Sequence, residues 1–109
     1  MTDDAVTHVD DDTDGRQDVL QVLADPTSRA ILQLLSEQML TAAEVSDAME
    51  VPLSTVYRKL DQLTETPLVE SAYRFKSDGK HPRQYTCAFD RVRIRMSEEN
   101  GGTIEVRIP

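Results

Sequence analysis

With 109 residues, 39% of them apolar, the chain is sized for one domain with a modest core and has no room for a second. No run of about 18 apolar residues and no basic-then-apolar opening occurs, so neither a membrane span nor a signal peptide is expected and the cytoplasm is the expected location. The single Cys87 forms no internal disulfide, and with only His8 and His81 to help it no metal cage within one subunit and no cofactor are expected.

A net charge of −8 argues at first against a nucleic-acid partner. The charge is uneven, however. Residues 1–18 hold seven aspartates against Arg16, a net of −6, which leaves −2 for the remainder. Between residues 54 and 95 nine basic residues face five acidic ones, a net of +4. Nine of the twelve basic residues are arginine, and this acidic, arginine-weighted composition suggests a halophile's protein. At molar salt the Debye length is about 3 Å, so an acidic surface no longer repels phosphate from afar.

In chain order, residues 1–15 are rich in Asp and Thr and read as a disordered acidic tail. A short helix is expected from residue 16 or 17 to Ala24, with Val19, Leu20, Val22 and Leu23 inward. Asp25-Pro26 interrupts it, because the residue before a proline is pushed out of the helical region. Asp25 then caps a second helix that opens on Pro26, takes Ile31, Leu34 and Leu35, with Ala30 and Leu32 beside them, as core, and ends near Gln38. Thr41-Ala42-Ala43-Glu44 is a capping box for a third helix that runs to about Met49 and buries Val45, Ala48 and Met49.

The stretch from Val51 to Leu63 carries the functional signal. At about 100° per residue Val56, Leu60 and Leu63 form an apolar stripe, while Ser54, Arg58 and Asp61 point the other way, flanked by Thr55, Tyr57 and Gln62. A guanidinium, an amide, hydroxyls and a carboxylate are groups that read base edges. Two short helices with a tight turn, the second displaying polar groups, form a helix-turn-helix; a plain helical bundle shares these periodicities.

After Pro67 the period becomes strand-like. Residues 69–75 and 83–89 read as strands joined by a basic connection that bends at Asp78-Gly79. Such a hairpin is the wing of a winged helix, and Lys76, Lys80 and His81 at its tip, with Arg74 and Arg83 at its base, are phosphate candidates. A second hairpin closes the chain: Val92, Ile94 and Met96 alternate with arginines, and residues 103–108 return after Asn100-Gly101-Gly102. One face of it is apolar and must pack on the domain's own sheet or on a second subunit. The expected fold is therefore α+β, a winged helix-turn-helix of three to four helices with an extra C-terminal β-hairpin. It divides into a tail at 1–15, a DNA-binding domain at 16–89 and the hairpin at 90–109.

The run from Leu23 to Leu35 (LADPTSRAILQLL), Leu40-Thr41-Ala42-Ala43-Glu44-Val45, the run from Ser54 to Leu60 (STVYRKL) and Leu68-Val69-Glu70 together resemble the winged-helix transcriptional regulators of the ArsR type, in a version similar to those of halophilic archaea. The resemblance covers roughly residues 20–89. It implies a dimeric regulator that sets residues 53–64 into the major groove with the wing beside it, and carries DNA contact over to Ser54, Thr55, Tyr57, Arg58 and Lys59. Lys59 lies nearer the buried stripe and suits a phosphate rather than a base. Three features depart from the family. The Cys-x-Cys pair of its metal-sensing members is absent from residues 44–49; Glu50 stands where the inter-helix turn usually has Gly; and a β-ribbon replaces the C-terminal dimerisation helix.

The expected function is thus a sequence-specific double-stranded DNA-binding transcriptional regulator, and the alternative is a winged-helix protein-interaction module without intrinsic sequence preference. No Ser/His/Asp set, Gly-rich phosphate loop or paired carboxylates in a matching context point to an enzyme, and Cys87 reads as a small buried apolar residue.

Overall fold

Residues 5–8, 14–74, 79, 82–96, 98 and 104–108 are described by the computed structural model. Helix α1 (Asp14–Ala24) starts slightly ahead of its expected position, and α2 (Pro26–Leu35) follows after one extended residue, Asp25 at φ −93° and ψ 120°. The Asp25 carboxylate accepts hydrogen bonds from the Ser28 amide at 3.0 Å and the Ser28 hydroxyl at 2.8 Å, which satisfies a helix-start donor and a buried side chain at once. Helix α2 ends at Leu35 rather than near Gln38 because Ser36 turns its hydroxyl onto the Gln33 carbonyl at 2.7 Å. Val19, Val22, Ile31, Leu32 and Leu35 are buried, with Leu20, Leu23 and Leu34 partly so.

The short strand β2 (Leu40–Thr41) leads directly into α3 (Ala42–Met49). Thr41 and Glu44 close the expected capping box, the Thr hydroxyl accepting at 3.2 Å and the Glu carboxylate at 2.8 Å. Ala42 and Val45 are buried and Met49 packs beside them, but Ala48 is exposed, a correction to its expected place in the core. The helix buries a stripe at i, i+3 and i+7, and Ala48 falls outside it. A three-residue turn then brings in α4 (Leu53–Thr64), with Val56, Leu60 and Leu63 fully buried.

The wing strands are shorter than expected: β3 (Val69–Tyr73) and β4 (Arg83–Cys87) pair antiparallel, with β2 on the other side of β4. Buried Thr66 turns the chain from α4 into β3, donating to the Leu63 carbonyl at 2.6 Å and accepting from the Leu68 amide at 3.1 Å. Val69, Tyr73, Arg83, Tyr85 and Cys87 share one face of this sheet, and Arg74 and Gln84 lie on the other. Cys87 is half-buried, and its thiol faces the Phe89 carbonyl at 3.5 Å.

The second hairpin, β5 (Arg93–Met96) and β6 (Ile104–Ile108), gains a third strand, β1 (Ala5–His8), in the order β1-β6-β5. Those four residues were expected in the disordered tail. The β-branched Val6 and Thr7 between the aspartate clusters suit a strand, and the open edge of β6 offers them a ladder. Val106 and Ile108 join the common core, whereas Ile94 and Met96, on the same sheet face, remain 54% and 66% exposed. The ribbon thus covers its own domain through β6 and leaves β5 uncovered.

Candidate nucleic-acid interface

Helix α4 is fixed from behind. Its buried stripe occupies one side, and Ser54, Tyr57, Arg58, Asp61, Gln62 and Glu65 are all exposed along the opposite side. Thr55 is half-buried at the margin. Of the residues expected to contact DNA, the helix therefore brings Ser54, Tyr57, Arg58 and Gln62 onto one solvent-facing surface.

The turn that aims this helix is held by Ser46. Its carbonyl accepts from the Glu50 amide and, at 3.3 Å, from the Val51 amide, while its hydroxyl donates to the Val51 carbonyl at 2.6 Å. Glu50 adopts the left-handed conformation, φ 56° and ψ 45°, where glycine is the unstrained choice. An α3 cap and an α4 entry that share one serine fix the angle between the two helices. The start of α4 has Pro52 as its cap, without a side-chain hydrogen bond.

Lys59 sits differently from its neighbours. Its ammonium meets the Asp25 carboxylate at 3.0 Å with only 16% of the side chain exposed. The Lys59 contact, aided by the Ser28 hydroxyl, holds the Asp25 carboxyl below its ordinary value. One carboxylate thus caps α2 and anchors the flank of α4. Beside this pair a cleft of about 290 Å³ is lined by Gln21, Val22, Lys59, Gln62 and Glu65, so the Lys59–Gln62 flank of α4 faces α1. The opposite flank carries Leu53 and Tyr57, 42% and 48% exposed.

At the wing base, Arg74 is engaged within the protein. It reaches Glu44 at 3.3 Å, and Gln84, with its amide oxygen turned inward, accepts from the same guanidinium at 2.8 and 3.2 Å. The Thr41 backbone amide is the chief group holding the Glu44 carboxyl below its ordinary value, with Arg74 adding to it. The capping box and the wing are thereby tied together. Arg83 donates to Ser71 at 3.0 Å and lies 5.7 Å from the Tyr85 ring centroid. Burial pushes the Tyr85 hydroxyl above its ordinary value, against the pull of the Arg83 guanidinium, with Asp61 and Tyr57 of α4 adding to the rise. Charges of α4 and of the wing thus both act on one buried tyrosine. Lys76, Lys80 and His81 lie outside the described residues.

Residues 23–72 match the family model of a helix-turn-helix domain. Match and fold together define a winged helix-turn-helix domain followed by a C-terminal hairpin. No curated protein matches the chain. Among the described residues no group of three His, Cys, Asp or Glu side chains could hold a metal ion, and no helix is long and apolar enough to cross a membrane.

Sequence reasoning missed the Asp25–Lys59 and Glu44–Arg74 pairs, which join residues far apart in sequence and leave no local pattern. It also passed over Leu53. The helical wheel places Leu53 beside the apolar stripe, and only the packing reveals that 42% of it stays exposed.

Proposed function

We propose that this chain is a sequence-specific double-stranded DNA-binding transcriptional regulator of the ArsR type that acts as a homodimer in a high-salt cytoplasm. The observation that carries the reading is the exposed row Ser54, Tyr57, Arg58 and Gln62 on a helix whose opposite side is fully buried. Arg58 is the base reader, since a bidentate arginine on guanine is worth about 1 to 3 kcal/mol of discrimination. Ser54, Thr55 and Gln62 supply supporting polar contacts. Lys59 serves chiefly to position α4, and Arg74 and Arg83 shape the wing whose tip residues Lys76, Lys80 and His81 meet phosphate. The +4 balance of residues 54–95 supports an anionic partner.

Selection of bound genomic fragments by the purified chain in molar KCl tests this. A recurring motif with two half-sites about 34 Å apart, or a multiple of that, is the expected result for a dimer. Failure to prefer any fragment over random DNA favours the second reading, an interaction module in transcription, which the exposed Ile94 and Met96 support.

A further inference from the structure

The apolar needs of α4 are met by Val56, Leu60 and Leu63, each with no exposed surface. The helix nevertheless carries two further large apolar groups in the open, Leu53 at 42% and Tyr57 at 48% exposure. They stand one turn apart at i and i+4, so their side chains neighbour each other. Their position is the N-terminal half of the helix, the part that lies closest to base edges when such a helix enters the major groove.

The chemistry on either side indicates what covers them. Ser54 and Arg58 adjoin the pair on the exposed surface of the same helix, and Arg83 is exposed on the sheet face that carries Tyr85. An apolar protein surface would offer no acceptor to the Arg58 guanidinium or to the part of the Arg83 guanidinium that Ser71 does not engage. The major groove offers phosphate and guanine acceptors to the arginines, and among its base edges one apolar group, the C5-methyl of thymine.

We propose that Leu53 and Tyr57 form an apolar reading patch that seats thymine methyl groups, so that each half-site carries thymine next to the base pair read by Arg58. The proposal rests on the double-stranded DNA reading above. It adds a sequence requirement that the polar residues of α4 do not impose.

The test uses the full chain and a duplex recovered by selection from random DNA. Each thymine of the half-site is replaced in turn by deoxyuridine, which removes the methyl and leaves every hydrogen-bonding group in place. Wild-type protein should lose about fourfold in affinity at one or two positions, the value of burying one methyl-sized group. Leu53→Ala and Tyr57→Ala should each reduce or abolish the difference between thymine and uracil duplexes, while Arg58→Ala should retain it. Equal binding of thymine and uracil duplexes by the wild type at every position overturns the patch and leaves DNA binding standing, as does an undiminished thymine preference in both apolar variants. Failure to recover any preferred duplex removes the DNA reading, and the patch with it.

Discussion

Asp25 and Lys59, 34 positions apart in sequence, are joined at 3.0 Å across the interface between the start of α2 and the flank of α4. The carboxylate also receives both hydrogen-bond donors of Ser28, whose side chain is fully buried. Removing either partner therefore has unequal consequences. Lys59→Ala leaves the cap intact and should cost about 1 kcal/mol, the scale of a partly exposed ion pair. Asp25→Ala removes the cap and the ion pair and leaves a buried hydroxyl without its acceptor, so about 2 to 3 kcal/mol is expected. Urea unfolding of both variants checks the ranking, and equal or reversed losses would show that the cap is not the larger effect.

The same carboxylate, with Glu44, sets an acid sensitivity. Both groups are held below their ordinary values of 3.8 and 4.5 in the folded protein, so the unfolded chain binds their protons more readily. Stability rises with pH wherever the unfolded state holds more protons. The contribution is therefore complete above those ordinary values and is lost as the pH falls through the lowered folded ones. Asp25→Asn keeps an oxygen to accept from the Ser28 amide but carries no charge. It should be less stable than wild type near neutral pH and should show a shallower decline on acidification; parallel acid profiles would remove Asp25 as a source of the decline.

Glu50 offers a change in the other direction. A left-handed L-residue costs about 1 to 2 kcal/mol, of which a glycine recovers all but the roughly 0.5 to 1 kcal/mol it loses in chain entropy. Glu50→Gly should stabilise the domain by about 0.5 to 1 kcal/mol on that balance. Because the Ser46 bonds at this turn come from backbone groups and the serine hydroxyl, helix orientation and DNA affinity should be retained. Thermal melts of the two proteins at one salt concentration decide it, and a lower midpoint for the glycine variant would show that the Glu50 side chain contributes more than its strain costs.

Local signals made much of this architecture legible. The Asp25 cap with Pro26, the Thr41–Glu44 box and the 3.6-residue stripe of α4 are all set within a few residues, and each appears where the sequence places it. What escaped depends on partners distant in the chain. Strand β1 forms only because β6 presents an edge, and β2 only because Leu40 and Thr41 lie opposite Tyr85 and Gln84. The display side of α4 was legible as a polar row, but not the commitment of Lys59 to Asp25 or the exposure of Leu53, since both depend on how α4 sits against its neighbours.

The C-terminal sheet divides along its register. Ile94 lies opposite Val106 on the same face, yet Val106 is fully buried and Ile94 is 54% exposed. Val106→Ala should cost the fold about 2 kcal/mol for lost methyl burial and the residual cavity. Ile94→Ala should change monomer stability by less than about 0.5 kcal/mol, as at other surface positions. If β5 supplies the subunit contact, Ile94→Ala shifts the monomer–dimer balance instead. Analytical ultracentrifugation at several concentrations separates the cases: an unchanged dimer in this variant moves the contact elsewhere.

On the proposed DNA reading Arg58 and Lys80 would make two kinds of contact, a base edge and a phosphate, and salt distinguishes them. A phosphate contact releases counterions whatever the sequence, so Lys80→Ala should weaken all duplexes alike and lower the slope of log affinity against log salt by about 1. Arg58 projects from the centre of the exposed row of α4, well placed for a guanine edge. Arg58→Ala should therefore narrow the gap between selected and random duplexes by about 1 to 3 kcal/mol. Titrations of both duplexes across a salt series measure each effect independently. Should Arg58→Ala weaken selected and random duplexes equally, Arg58 would be a phosphate contact, and base reading would pass to the neighbouring Ser54, Tyr57 and Gln62.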